Sequence, residues 1–345
     1  MTARSTAGVA LVVASALALV AGVVPSVAST LRTDATLRAE ATAGPEPRPV
    51  RLHPTDGPVP GLQTGSLHVP DLGGGAHRVR VGVLEPSGKP VADVLFLHGH
   101  ADRLDNHAAL FTDLAAAGLR VVSFDLPSHG ETDAGPIDRW SDDDLAALAA
   151  RVVHATEQDP DRPFVLAGWS FGGLLATRFA QDPDERAAFG RPVRALALES
   201  PAVAPLTFPG GDGISRLRAL THDLHAPVAG PPDPASPFLD PVFAGRLLAQ
   251  AGVAIATPLP AGLPTLVELG DDDRYVDVPA VTHWADDVAP RAGAPVRIVR
   301  CSPARHGLDL ESWPVGPAAR TQLVDFVLGA LHRPTNQHQE PHACR

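Results

Sequence analysis

Gly168-Trp169-Ser170-Phe171-Gly172-Gly173 sets a serine among glycines, after the apolar run Phe164 to Ala167 and before residues of helical pattern. A serine on so sharp a strand-to-helix turn needs glycine on both sides, because a Cβ at Gly168 or Gly172 would meet the neighbouring backbone. The turn lifts the hydroxyl above the sheet. The helix N-terminus behind it brings backbone N–H groups and a partial positive charge to the place where an oxyanion would form. The bare G-x-S-x-G spacing is common by chance, and its strand, turn and helix setting is what makes it specific. The chemistry implied is nucleophilic attack on a carbonyl. Trp169 and Phe171 flank the serine and are candidates to line a pocket for the group attacked.

A serine hydroxyl is a poor nucleophile until a base takes its proton, and the base needs an acid to hold its tautomer. Two downstream loops supply both. Gly270-Asp271-Asp272-Asp273-Arg274-Tyr275-Val276 follows the strand-like Thr265 to Leu269, and Ser302-Pro303-Ala304-Arg305-His306-Gly307 follows Val296 to Val299. His306 is the candidate base. Spacing favours Asp273 as the acid; Asp271 and Asp272 read as solvated loop charges, and Glu199, following a strand of its own, stands as a substitute.

The elements that must position these residues alternate. Ser66 to Val69 and His77 to Leu84 read as an antiparallel pair around a turn at Gly73 to Gly75. Val91 to Leu97, Leu119 to Asp125, Pro163 to Ala167 and Val193 to Leu198 are apolar runs of the kind buried on both faces, and helical patterns over Asn106–Ala117, Leu145–Thr156 and Leu174–Gln181 separate them. Such βαβ units predict a mostly parallel sheet covered on both sides. Between Pro201 and Leu263 the alternation stops. A Pro/Gly-rich insertion takes its place, with helical stretches near Ile214 to Leu224 and Pro241 to Ala251. It then resumes through Thr265 to Leu269, a helix near Val281 to Asp287, Val296 to Val299 and a terminal helix from Pro317 to Leu331.

With 345 residues, 44% of them hydrophobic and 19% charged, the chain can bury a substantial core. A net charge of -11 without a long basic run argues against nucleic acid or an anionic membrane surface as the main partner. Arg4, the apolar or small run Ala7 to Val24, and Ser26-Val27-Ala28 predict a signal peptide over residues 1–28, hence an exported protein, with a retained N-terminal anchor as the alternative. Residues 29–60 read as a flexible linker, 61–331 as the folded domain with its insertion over 201–263, and 332–345 as a polar tail. In an oxidising compartment Cys301 and Cys344 are candidates for a disulfide tying that tail to the body, with two free thiols as the alternative.

Phe96-Leu97-His98-Gly99, Phe124-Asp125-Leu126-Pro127-Ser128-His129-Gly130, the Gly168 to Gly173 turn, Gly270-x-x-Asp273-x-x-Val276 and His306-Gly307 together resemble the monoacylglycerol lipase and lysophospholipase branch of the α/β-hydrolases, over about Gly61 to Leu331. The resemblance implies an α/β-hydrolase fold with a helical cap over the site. It also implies a Ser170–Asp273–His306 triad, an oxyanion hole made by the N–H groups of His100 and Phe171, and a small-molecule ester substrate, lipid esters among them. No cofactor or metal is implied. Oligomeric state is left open. One departure is His100-Ala101-Asp102-Arg103, where that branch often has Glu-His, so the polar end of the pocket differs.

Three other readings compete. His98-Gly99-His100-Ala101-Asp102 resembles part of the H-x-H-x-D-H zinc motif of metallo-β-lactamase-type hydrolases, but Arg103, a cation, stands where the last histidine belongs. A non-catalytic binding protein on this fold would be expected to lack a member of the triad. An aminopeptidase would need an acid in its cap for the substrate amine, and Asp223, Asp233 and Asp240 are available. Of the remaining histidines, His129 reads as a loop holder beside the site, and His107, His154, His222 and His283 as surface or internally satisfied residues. The tail histidines His332, His338 and His342 read as solvated.

Overall fold

The apolar runs become strands because each can bury both its faces. In the computed structural model, which describes residues 49–206, 241–335 and 343–345, Val94 and Phe96 pack to one side of the sheet and Leu95 and Leu97 to the other, all at 1% exposure or less. The strands are β1 (His53–Pro54), β2 (Gln63–Leu72), β3 (Gly75–Leu84), β4 (Ala92–Leu97), β5 (Leu119–Phe124), β6 (Phe164–Trp169), β7 (Val193–Glu199), β8 (Thr265–Gly270) and β9 (Val296–Cys301). Among the described residues they form one nine-stranded sheet in the order β1-β2-β3-β5-β4-β6-β7-β8-β9. β1 to β3 and the β3–β5 pair are antiparallel, and every pairing from β5 through β9 is parallel.

That order has a consequence for function. The chain leaves β4 toward β5 on one side, then crosses back to β6 on the other, so the order in which strands are added reverses at β4. A crevice opens at the carboxyl ends of strands at such a point, and ligands of open α/β sheets bind there. The loop after β4 carries His100, and β6 leads into Ser170.

Helices cover both faces. α1 (Ala108–Ala116) and α7 (Val315–Ala330) close one side; α2 (Asp142–Thr156), α3 (Ser170–Gln181), α4 (Pro183–Ala188), α5 (Pro241–Ala256) and α6 (Val278–His283) belong to the other elements. Local chemistry sets several starts. Ser141 and Asp144 form a reciprocal capping box at α2, and Asp182 caps α4 ahead of Pro183. α4 is short and carries no buried residue, which is why no apolar period announces it.

One boundary differs from the sequence reading. The ordered body begins before residue 61: Val50 donates its N–H to Ala155, β1 pairs with β2, and Val59 is fully buried. Apolar anchors spaced too widely for a period hold that stretch. Residues 1–48, and with them the predicted signal peptide, lie outside the described residues. At the other end, Cys301 and Cys344 form a disulfide, and Arg300 and Arg345 exchange backbone hydrogen bonds of 2.8 Å, so the C-terminus docks along β9. His338 and His342 lie outside the described residues. No helix among the described residues is long and apolar enough to cross a membrane.

Candidate active site

β6 runs into α3 without a loop, and Ser170 takes the whole bend with φ at 54°. A left-handed backbone at a serine costs about 1–3 kcal/mol and persists only where its surroundings impose it. Here three glycines do. A Cβ on Gly172 would strike the carbonyl oxygens of Leu97 and His98, one on Gly168 would strike the Gly172 carbonyl, and one on Gly99 would sit 3.2 Å from the Ser170 Cβ. The elbow is therefore wedged against the end of β4. The Ser170 carbonyl also accepts the Ala202 N–H at 2.9 Å.

His306 lies between Ser170 and Asp273. Its Nε2 is 2.8 Å from the Ser170 Oγ, and its Nδ1 is 2.8 Å from the Asp273 Oδ2. An ionised carboxylate only accepts, so Nδ1 carries the proton and Nε2 turns its lone pair to the serine hydroxyl, which donates. The Asp273 side chain is fully buried, and burial by itself raises a carboxyl pKa. The charge and hydrogen bond of His306, with the N–H groups of Tyr275 and Val276 on Oδ1, outweigh that and leave Asp273 below the usual carboxylate range. Asp271 instead pairs with Arg300, and Asp272 is exposed. Glu199 points elsewhere, accepting the Asp309 N–H at 3.1 Å.

The two proposed oxyanion donors adjoin the elbow. Phe171 is the second residue of α3, in the first turn, where an N–H has no partner within the helix. His100 follows Gly99 in the loop pressed against the elbow. Histidines brace that loop. His129 accepts the Ala101 N–H at 3.0 Å and donates to the Pro127 carbonyl at 2.8 Å; His98 donates to the Gly99 carbonyl and accepts the Leu126 N–H at 2.9 Å. Burial pulls His98 down to about 3, so it stays neutral. Asp125 ties the same loop to the next, accepting N–H groups from Leu104 and Glu131.

The residues of the zinc reading are thus used separately. His98 bonds to backbone, Asp102 accepts from Asn106 and faces His107, and the His100 ring stacks on Phe243 of α5 with centroids 4.4 Å apart. Among the described residues no group of three or more His, Cys, Asp or Glu side chains is arranged to hold a metal ion.

The two aromatics beside the serine part company. Phe171 faces α5, edge-on to Phe243 at 5.2 Å, whereas Trp169 is 2% exposed and packs on the α1/α7 side of the sheet. The left-handed bend at Ser170 ends the strand between them, so Phe171, in the first turn of α3, turns to the other side from Trp169. Its indole N–H donates instead to the His306 carbonyl at 2.9 Å. Of the predicted insertion, α5 is present, held to α3 through Arg178–Gln250 and Gln181–Ala254 hydrogen bonds. Ile214 to Leu224, His222, Asp223, Asp233 and Asp240 lie outside the described residues. Phe243 went unnoticed in the sequence; His107, read there as a surface or internally satisfied residue, lies fully buried between Asp102 and Asp309, and its second partner is 202 residues away.

Residues 94–339 match the family model described as the alpha/beta hydrolase family. The chain belongs to this family. Among curated hydrolases it is 30% identical over 110 residues to the lysophosphatidylserine lipase ABHD12 of Danio rerio, a match spanning 31% of this chain and 27% of that one. Among solved structures it resembles a lipase in an open form, with a TM-score of 0.59 at 19% identity, covering 78% of this chain and all of that one. It also resembles a soluble variant of the monoglyceride lipase of Saccharomyces cerevisiae, with a TM-score of 0.54 at 16% identity over 83% and 96% of the two chains. At these identities the solved structures speak for the fold.

Proposed function

We propose that this alpha/beta hydrolase is an exported serine esterase that cleaves acyl esters such as monoacylglycerols or lysophospholipids. The observation that carries the reading is the unbroken hydrogen-bond chain from the Ser170 hydroxyl through His306 to Asp273. In the first step Ser170 attacks the ester carbonyl while His306 Nε2 takes its proton, and Asp273 stabilises the imidazolium that results. The N–H groups of His100 and Phe171 hold the oxyanion. The alcohol leaves with the proton from His306. Water, activated by the same base, then releases the acid and restores the serine.

The lipid preference is supported by the apolar wall of Phe171 and Phe243 beside Ser170, and by relatives named as lysophosphatidylserine and monoglyceride lipases. Export is supported by the signal-like residues 1–28 and by the disulfide, a bond of oxidising compartments.

The test uses the mature chain from Ser29, a fluorophosphonate probe, and p-nitrophenyl acetate and decanoate. The expected result is an adduct on Ser170 and turnover, with decanoate preferred. In Phe243→Ala that preference should fall about ten-fold, the scale of a lost apolar pocket contact. A folded sample that neither labels nor turns over would leave only the ligand-binding reading.

A further inference from the structure

His107 lies beneath the site, fully buried, with an aspartate on each ring nitrogen. Nε2 is 2.7 Å from the Asp102 Oδ2 and Nδ1 is 2.7 Å from the Asp309 Oδ2. A neutral imidazole has one N–H and can donate to only one of two carboxylates; the cation donates to both. Asp102 lies two residues beyond His100, and Asp309 three beyond His306. The pair therefore joins the loop after β4, which carries a proposed oxyanion donor, to the loop after β9, which carries the base. Trp169 fills the space between, its ring 5.6 Å from His107 and its indole N–H on the His306 carbonyl.

We propose that His107 is a positioning residue for the esterase reaction, an imidazolium clamp between Asp102 and Asp309 that fixes where the His100 N–H lies relative to His306. The inference rests on the serine hydrolase reading above. Every charged neighbour fits it. Burial pulls His107 down, but Asp309 and Asp102 overcome this and hold it well above its ordinary value. Glu199 and Glu268, adjacent on β7 and β8, are pushed well up by burial and by Asp309. His98, on the far side of Asp102, is neutral. Asp309 is further fixed by Glu199 on its N–H and Arg320 on its carbonyl.

A base or oxyanion donor displaced by a fraction of an ångström weakens the transition state and leaves ground-state binding nearly intact. In His107→Gln, kcat should fall about 10–100-fold, the cost of losing a group that orients a functional one, with KM changed less than about two-fold. Asp309→Asn keeps an oxygen opposite Nδ1 without the charge, and its kcat should fall about ten-fold. Assays run below the onset of unfolding, with wild type labelled at Ser170 alongside. Nitrogen NMR of wild type should find both His107 nitrogens protonated at neutral pH. A neutral His107, or either folded variant with kcat within about two-fold of an active wild type, overturns the clamp alone. A wild type that neither labels nor turns over removes the esterase reading and the clamp with it.

Discussion

Trp169 donates its indole N–H to the backbone carbonyl of His306 at 2.9 Å, across 137 residues of sequence. The residue before the proposed nucleophile thus holds the main chain of the proposed base, from the side of the sheet opposite the cap. Strand geometry makes this possible: Trp169 is the last residue of β6, and its side chain points away from the face that Phe171 serves. Trp169→Phe keeps the ring and loses the donor, leaving a buried carbonyl unpaired. It should lower stability by about 1–3 kcal/mol, read by urea unfolding. Turnover should drop with KM retained.

Ser170 separates chemistry from backbone strain. Both Ser170→Ala and Ser170→Gly should abolish ester turnover and fluorophosphonate labelling, a loss on the order of 10⁶-fold for a nucleophile of this kind. They should differ in stability. Glycine tolerates the φ of 54° and alanine does not, so the glycine variant should be the more stable by about 1 kcal/mol. Turnover retained by folded Ser170→Ala would show the nucleophile to be elsewhere.

Asp273 links the site to pH. Its folded pKa is below the ordinary value, so it contributes stability that is present above the unfolded pKa of about 3.9 and is lost as the pH falls through the lower folded value. The stability gap between wild type and Asp273→Asn should therefore shrink between neutral and strongly acid pH, measured by urea unfolding at each. A gap that widens on acidification would contradict the assignment. Activity of the variant should fall about 10⁴-fold at neutral pH, because asparagine no longer selects the Nδ1–H tautomer.

The disulfide closes a loop with a sequence separation of 43. Constraining the unfolded chain over that length is worth at most about 4 kcal/mol. Cys344→Ser should lower the melting temperature, and reductant should bring wild type down to the same value while leaving the variant unmoved. A wild-type melting temperature indifferent to reductant would show that the bond contributes nothing.

Much of this was legible in the sequence because it is local. The G-x-S-x-G turn announces itself, since only glycine permits the close approaches at positions 168 and 172, and the buried strands announce themselves through unbroken apolar runs. The order of serine, acid and histidine after β6, β8 and β9 follows from the same alternation. The sequence was also enough to single out Asp273 by spacing. What it could not show was that Asp273 and not Glu199 meets His306, because both follow parallel strands and only the splay of the loops separates them.

Other features belonged to the tertiary structure alone. Trp169 and Phe171 have equal claim to a pocket in the sequence, and the left-handed bend at Ser170 between strand and helix sends one to the core and the other to the cap. His107 carries no signal at all, because its partners lie 5 and 202 residues away and only the crossing of β4 and β9 loops brings them together. Sequence determined which groups can do chemistry here, since that is written in residue type and local backbone. Which of them meet was decided by the fold, because the contacts that hold and charge them join residues that no sequence period connects.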